Sequence, residues 1–209
     1  MRILARGDSR VLALALARVL QNDHAAIARA YPNPCALFDV DDCLLWWHED
    51  EVHERRLETA TLFETIQAIG WPIFIVTARP KTRGGLDDLQ RQLHDELGYR
   101  RDGIQRYYMM PREYDDPGEY KADVREHVQR EFGHTCVLMC GDAWTDVVRH
   151  GDPRRLRGGA RLNEHTSYLL TCPDAPLADG TPSLVYALKL SAAPAAGDAT
   201  LDDDDEGEG

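Results

Sequence analysis

Three short apolar runs each end in a residue that can do chemistry, and this constrains the fold more than any other feature of the chain. Residues 35–38 lead into Asp39-Val40-Asp41-Asp42-Cys43, residues 73–76 into Thr77-Ala78-Arg79, and residues 136–140 into Gly141-Asp142. Short apolar runs of this length read as strands of a parallel sheet covered on both faces. In an open α/β sheet the site forms at the carboxyl ends of the strands, so acids far apart in sequence converge there. Several carboxylates in one place repel each other unless a hard divalent cation joins them.

The segments between the runs read as helices. Asp8 or Ser9 caps a helix from about residue 10, and a second helical stretch runs to about residue 30, ended by Pro32-Asn33-Pro34. Helical spacing recurs over 52–69, 83–97 and 118–132. Strands are expected over 35–40, 73–77, 105–110, 135–140 and 167–171, with a closing helix over 183–190. The alternation predicts an α/β chain with a Rossmann-like, five-stranded parallel sheet and helices on both faces. Residues 1–190 form one domain in this reading, with a motif core over 35–172. Residues 191–209, rich in Ala, Pro, Gly and Asp, read as a disordered acidic tail.

Charge and cysteine content narrow the function classes. The net charge of −12 includes seven acids between Asp198 and Glu208, so residues 1–197 carry only −5. Duplex nucleic acid is not favoured as a bulk electrostatic partner, although 149–161 holds five arginines and leaves a local basic patch open. Cys35, Cys43, Cys136, Cys140 and Cys172 make an odd count. Buried reduced thiols in an intracellular, cytoplasmic setting fit this better than a disulfide framework. Cys136 and Cys140, four apart on a strand, are expected to face one side, with core packing favoured over a metal role. The apolar run 11–17 is bracketed by Arg10 and Arg18 and is too short to span a bilayer. There is no Cys with Arg six positions later, no Walker loop and no Gly-x-Gly-x-x-Gly.

Each candidate has a plain structural alternative. Asp39 is placed to attack phosphorus, and Asp41, two residues on, to protonate a leaving oxygen and later activate water. Alone, an Asp-x-Asp is equally a turn with capping acids. Thr77 can donate to a phosphate oxygen, or cap the segment after it. Asp142 and Asp146 can hold magnesium, or cap a helix. Arg79 suits a phosphate contact or a surface pair with an acid. The chain has 21 arginines but only Lys81, Lys121 and Lys189 as lysines. Lys121, at the start of the 118–132 helix, is the one expected to reach a nucleophile carboxylate and a phosphate. Lys81 is the fallback, and Lys189 reads as surface. Trp46 and Trp47 can stack a ring on a flap, or serve as core and cover.

In this order, Asp39-Val40-Asp41, Thr77, Lys121 and Gly141-Asp142-x-x-x-Asp146 resemble the motifs of the haloacid dehalogenase superfamily. The resemblance implies a magnesium-dependent phosphatase acting through an aspartyl-phosphate on Asp39. It makes Asp41 the acid/base and Thr77 and Lys121 phosphate ligands. Asp39, Asp41 (through its backbone carbonyl), Asp142 and Asp146 would serve the metal. Cys43 departs from the family's usual Thr or Val. The short spacing between motifs implies a capless member, with Trp46, Trp47 and Arg79 left to choose the substrate. Residues 107–111 and Thr77-Ala78-Arg79-Pro80 resemble the acid-phosphatase-like branch and polynucleotide 3′-phosphatase domains. A nucleotide or polynucleotide end is the implied partner, with no membrane. A phosphotransferase, or a catalytically silent binding module of the same fold, remains the alternative. Neither substrate nor oligomeric state is written in the sequence.

Overall fold

The computed structural model describes residues 2–46, 53–147, 166–171 and 185–191. Trp47, Cys172, the arginines of 149–161 and all of the expected tail beyond Ser191 lie outside the described residues. No described helix is long and apolar enough to cross a membrane.

The chain is α/β, with a mostly parallel central sheet flanked by helices. In order, the elements are β1 (Arg2–Gly7), α1 (Ser9–Ala30), β2 (Pro34–Phe38), β3 (Leu45–Trp46), β4 (Glu54–Arg55) and α2 (Leu57–Ala68). There follow β5 (Ile73–Pro80), α3 (Gly85–Arg91), a π-helical turn (Gln92–Glu96), β6 (Ile104–Met110) and α4 (Pro117–Phe132). The described chain closes with β7 (Thr135–Gly141), α5 (Trp144–Val147), β8 (Ser167–Thr171) and β9 (Tyr186–Lys189). The main sheet has seven strands in the order β1-β8-β9-β7-β2-β5-β6, and β3 pairs with β4 in a small hairpin.

Alternation along β2 explains why both faces are covered. Cys35 and Leu37 pack into one apolar cluster with Tyr120, Val124 and Val128 of α4. Ala36 and Phe38 pack into the other, with Leu16 and Leu20 of α1 and Phe63 and Ile66 of α2. Phe38 meets Phe63 edge-on at 5.2 Å between ring centres, an arrangement favoured by the ring quadrupoles.

Five expectations need correction. The five mutually parallel strands are β9, β7, β2, β5 and β6. Residues 167–171 do form a strand, but an antiparallel one, and the sheet gains β1 beyond it. Where a helix over 183–190 is expected, 183–184 lie outside the described residues and Tyr186–Lys189 form strand β9. Its apolar run fits either period, and the open edge of β7 supplies a parallel ladder. Lys189 is therefore fully buried rather than on the surface, its ammonium 5.7 Å from the centre of the Trp144 ring. Residues 9–30 form one helix, not two. Finally, Cys136 and Cys140 face opposite sides. The register on β2 jumps from Cys136 to Leu138, and this extra residue turns the strand over. Cys136 joins the α4 side and Cys140 the α1 side, which leaves core packing as their role.

The topology fixes where a site can form. From β2 the chain moves outward through β5 to β6. It then returns by α4 to β7 on the other side of β2. The strand order reverses between β2 and β7, and a crevice opens at the carboxyl ends on either side of such a point.

Candidate active site

Asp39 follows the last residue of β2, and its amide continues the ladder by donating to the Cys140 carbonyl at 2.9 Å. Its side chain is 7% exposed. Lys121, 3% exposed in the first turns of α4, reaches across to it, and Nζ lies 2.8 Å from Asp39 Oδ1. The same ammonium also donates to Asp146 Oδ1. The α4 start is fixed by Asp116, whose carboxylate accepts from the amides of Gly118 and Glu119 at 2.7 and 3.3 Å, with Pro117 following.

On the β7 side, Asp146 is fully buried in α5 and folds back so that Oδ2 accepts from the Ala143 amide at 2.8 Å. A side chain at position 141 would run into that carboxylate, so the glycine before Asp142 is a matter of space. Arg125, buried on α4, donates to the Asp146 carbonyl at 3.0 Å. The carboxylates of Asp39, Asp142 and Asp146 each offer an oxygen, and the three oxygens lie within 4.8 Å of one another.

Three carboxylates surround one ammonium, so negative charge is left over. Burial pushes the Asp39 carboxyl well above the usual carboxylate range; Lys121 draws it down, while Asp146 and Asp142 add to the rise. Burial, with Asp146 and then Asp42, pushes Asp142 up to about 7. Burial disfavours the Lys121 ammonium, but Asp146 and Asp39 outweigh it and hold its pKa above the usual lysine range.

The sequence candidates fall into two groups. Asp39, Lys121 and Asp146 meet in a buried cluster, with Asp142 partly buried at its edge. Asp41 sits outside it, half-buried, and its carboxylate is forked by Arg79. Nε lies 2.9 and 3.2 Å from the two oxygens, and Nη2 2.5 Å from Oδ1. Arg79 thus has an acid partner, as one of its two readings held. Thr77 is buried at 1% exposure, and its hydroxyl accepts from the Arg79 amide at 3.2 Å. Trp46 lies in the β3–β4 hairpin, with the Arg56 guanidinium 4.0 Å from its ring centre. Lys81 lines a smaller pocket beside β6 rather than this cluster.

The Asp41 side faces a cleft of about 830 Å³ lined by Asp41, His53, Arg79, Arg91, Gln92 and Met109 among others. Gln92 opens the π-helical turn and accepts from Arg79 Nη1 at 2.7 Å. π-Turns are rare and recur at functional sites. Neither Gln92 nor Arg125 carries a sequence signal; both read as ordinary helical residues until the fold brings their partners near.

The turn after β2 is tightly tied. The Val40 carbonyl accepts from the amides of Cys43, Leu44 and Leu45 at 3.2, 2.9 and 3.1 Å. Arg56 donates to the Asp42 carbonyl and Thr59 to that of Cys43. The Leu44 carbonyl accepts from the Arg56 amide at 3.1 Å and from the Tyr99 hydroxyl at 2.6 Å. Among the described residues, none donates to the Asp41 carbonyl. Compared with protein-family models and with curated proteins, the chain finds no match in either.

Proposed function

We propose that the chain is a magnesium-dependent phosphatase of the haloacid dehalogenase type, capless, that hydrolyses a phosphomonoester through Asp39. The observation that carries this reading is the meeting of buried Asp39, Lys121 and Asp146 with partly buried Asp142 at the reversal point of the sheet, with Asp41 held apart beside an open cleft.

The donor set suits a hard divalent cation. It consists of oxygens only and carries more negative charge than Lys121 neutralises; the Asp41 carbonyl, to which no described residue donates, is the further oxygen the resemblance implies. Asp39, Asp142, Asp146 and that carbonyl would hold the ion, and bound magnesium would offset charge on the phosphate oxygens.

The chain's own groups supply the rest. Lys121 holds Asp39 Oδ1 and leaves Oδ2 to attack. The bond from Oδ2 to phosphorus forms as the bond to the leaving oxygen breaks, and the Asp41 carboxyl gives its proton to that oxygen. In the second step water attacks the acyl-phosphate, Asp41 takes the water's proton, and inorganic phosphate leaves as Asp39 is freed. Thr77 still has a hydroxyl proton for a phosphate oxygen. The phosphate competes with Asp41 for the Arg79 fork, and its arrival frees Asp41 to take up a proton.

A cleft of this size takes more than a bare phosphate, so a nucleotide or a polynucleotide end is the substrate class put forward, with Trp46 in the neighbouring flap. The test is phosphate release from a panel of phosphorylated metabolites, nucleotides and 3′-phosphorylated oligonucleotides. Release is expected with magnesium, none in chelator, and poor replacement by calcium, which takes more ligands at longer distance. Release undiminished in chelator refutes the metal-dependent reading, and no release from any of them refutes the phosphatase reading.

A further inference from the structure

We propose that Arg56 is a positioning residue that sets the turn carrying Asp41; this rests on the phosphatase reading above. Arg56 is fully buried, which is costly for a charge unless every donor is engaged. Its Nε donates to Glu58 Oε1 at 2.6 Å, and Nη1 to the Asp42 carbonyl. Nη2 donates to Ser9 Oγ at 3.1 Å, and both terminal nitrogens lie 3.3 Å from the Ser191 carbonyl. The face of the guanidinium covers Trp46.

These partners belong to five parts of the fold: the turn after β2, the flap hairpin, the first turn of α2, the first turn of α1 and Ser191, two residues beyond β9. The far anchors are themselves locked. Ser9 Oγ lies 2.6 Å from Ser167 Oγ and 2.8 Å from Ser191 Oγ, and the Ser191 amide donates to Ser167 Oγ at 2.7 Å. A rigid base of α1, β8 and β9 therefore reaches through one planar side chain to a single loop carbonyl.

That carbonyl belongs to Asp42, which has a φ of +50°. Asp is among the few non-glycine residues that enter the left-handed region, at a modest cost that its hydrogen-bonded surroundings offset. The twist at Asp42 decides where the preceding residue points. It lets the Asp41 carbonyl stay unengaged while its carboxylate turns to Arg79 and the cleft. Arg56 thus acts on both Asp41 functions through Asp42, without touching either. Lysine cannot replace it, because a point charge offers no planar fork for four partners.

The test uses the full chain with p-nitrophenyl phosphate, and hydrogen exchange of the loop as a readout free of activity. In Arg56→Lys and Arg56→Ala, amides of 41–46 should exchange at least about tenfold faster while β2, β5 and β7 keep their protection. The kcat should fall about 10²-fold with KM within about threefold, because a small misplacement harms the reacting geometry more than binding. Half-saturating magnesium should rise, and dilute guanidinium, but not ammonium, should restore kcat to folded Arg56→Ala. Should both variants fail to fold, Ser9→Ala, which frees one end of the fork, should lower kcat and speed loop exchange to a smaller degree. Unchanged loop exchange and kcat in a folded variant overturn the positioning role alone. A wild-type chain inactive on every phosphomonoester overturns the phosphatase reading instead, and the loop exchange then still decides whether Arg56 sets the turn.

Discussion

Asp39 and Asp41 stand two residues apart on one turn and live in opposite surroundings. Asp39 is 5% exposed, shares an ammonium with Asp146, and has its carboxyl pushed up by burial. The Asp41 side chain is 35% exposed, gripped by a guanidinium, and borders a wide cleft. One residue type is thus placed in two environments, and the proposed mechanism draws its two roles from that difference. The buried acid belongs to a rigid electrostatic cluster in which nothing needs to move. The half-exposed acid borders the cleft and is held by Arg79, and in the proposed mechanism it meets the leaving group there once an incoming anion has drawn Arg79 away.

The sharpest break in this comparison is Asp39→Asn. The amide keeps the shape and loses the nucleophile. Turnover should fall by about 10³-fold or more, ~4 kcal/mol of barrier, with the melting curve little changed. Retained hydrolysis in a clean preparation of this variant would remove Asp39 from the chemistry. Asp41→Asn should cost about 10²-fold in steady-state turnover. Because nitrophenolate leaves without a proton, this variant should still release one equivalent from p-nitrophenyl phosphate in a fast burst and then stall on the acyl-phosphate. A slow first equivalent would mean that Asp41 acts before the phosphoryl group reaches Asp39.

The buried half of the site was legible because each of its members ends an apolar run or opens a helix. Asp39 and Asp142 follow strands that a covered parallel sheet requires, and Lys121 stands out among arginines. The half-exposed side was less legible. Arg79 could be singled out but its partner could not, since Asp41 and Gln92 reach it from separate elements. Arg56, Gln92 and Arg125 gain their meaning only from tertiary neighbours. The bulge in β7 has no glycine or proline to announce it, so the facing of Cys136 and Cys140 was misjudged. Residues 183–190 fit helix and strand equally by period, and only the vacant edge of β7 decides for strand.

A smaller effect tests by pH the charge loaded into the cluster around Asp39. The Asp142 carboxyl is pushed up to about 7 by burial and by Asp146. The folded chain therefore binds this proton more tightly than the unfolded chain, whose carboxyl titrates near about 4. The stability tied to that proton is fully present below about pH 4 and is lost as pH rises through about 7. In chelator, Asp142→Asn should melt higher than wild type at pH 8, and the gap should close between about pH 7 and 4. Magnesium should narrow the gap at pH 8 by stabilising the wild type, and the variant should need about tenfold more of it for activity. A variant that melts lower than wild type at pH 8 in chelator would show that the cluster is not electrostatically loaded.

The smallest expected effect lies on the open side. Arg79→Lys keeps the charge but replaces a planar fork by a point donor. In the free chain the fork spans both oxygens of Asp41; with a phosphate bound it would span two phosphate oxygens instead. Lysine can meet only one oxygen well in either state. The side chain is 22% exposed, and water softens the loss. The expected change is a rise in KM of about fivefold, ~1 kcal/mol, with kcat within about twofold. Arg79→Met, which removes the charge, should raise KM further and leave the melting temperature nearly unchanged. A fall in kcat with KM unmoved would tie Arg79 to Asp41 throughout the cycle. The two acids would then differ by burial alone, and the phosphate would be held by Thr77 and Lys121 without the arginine.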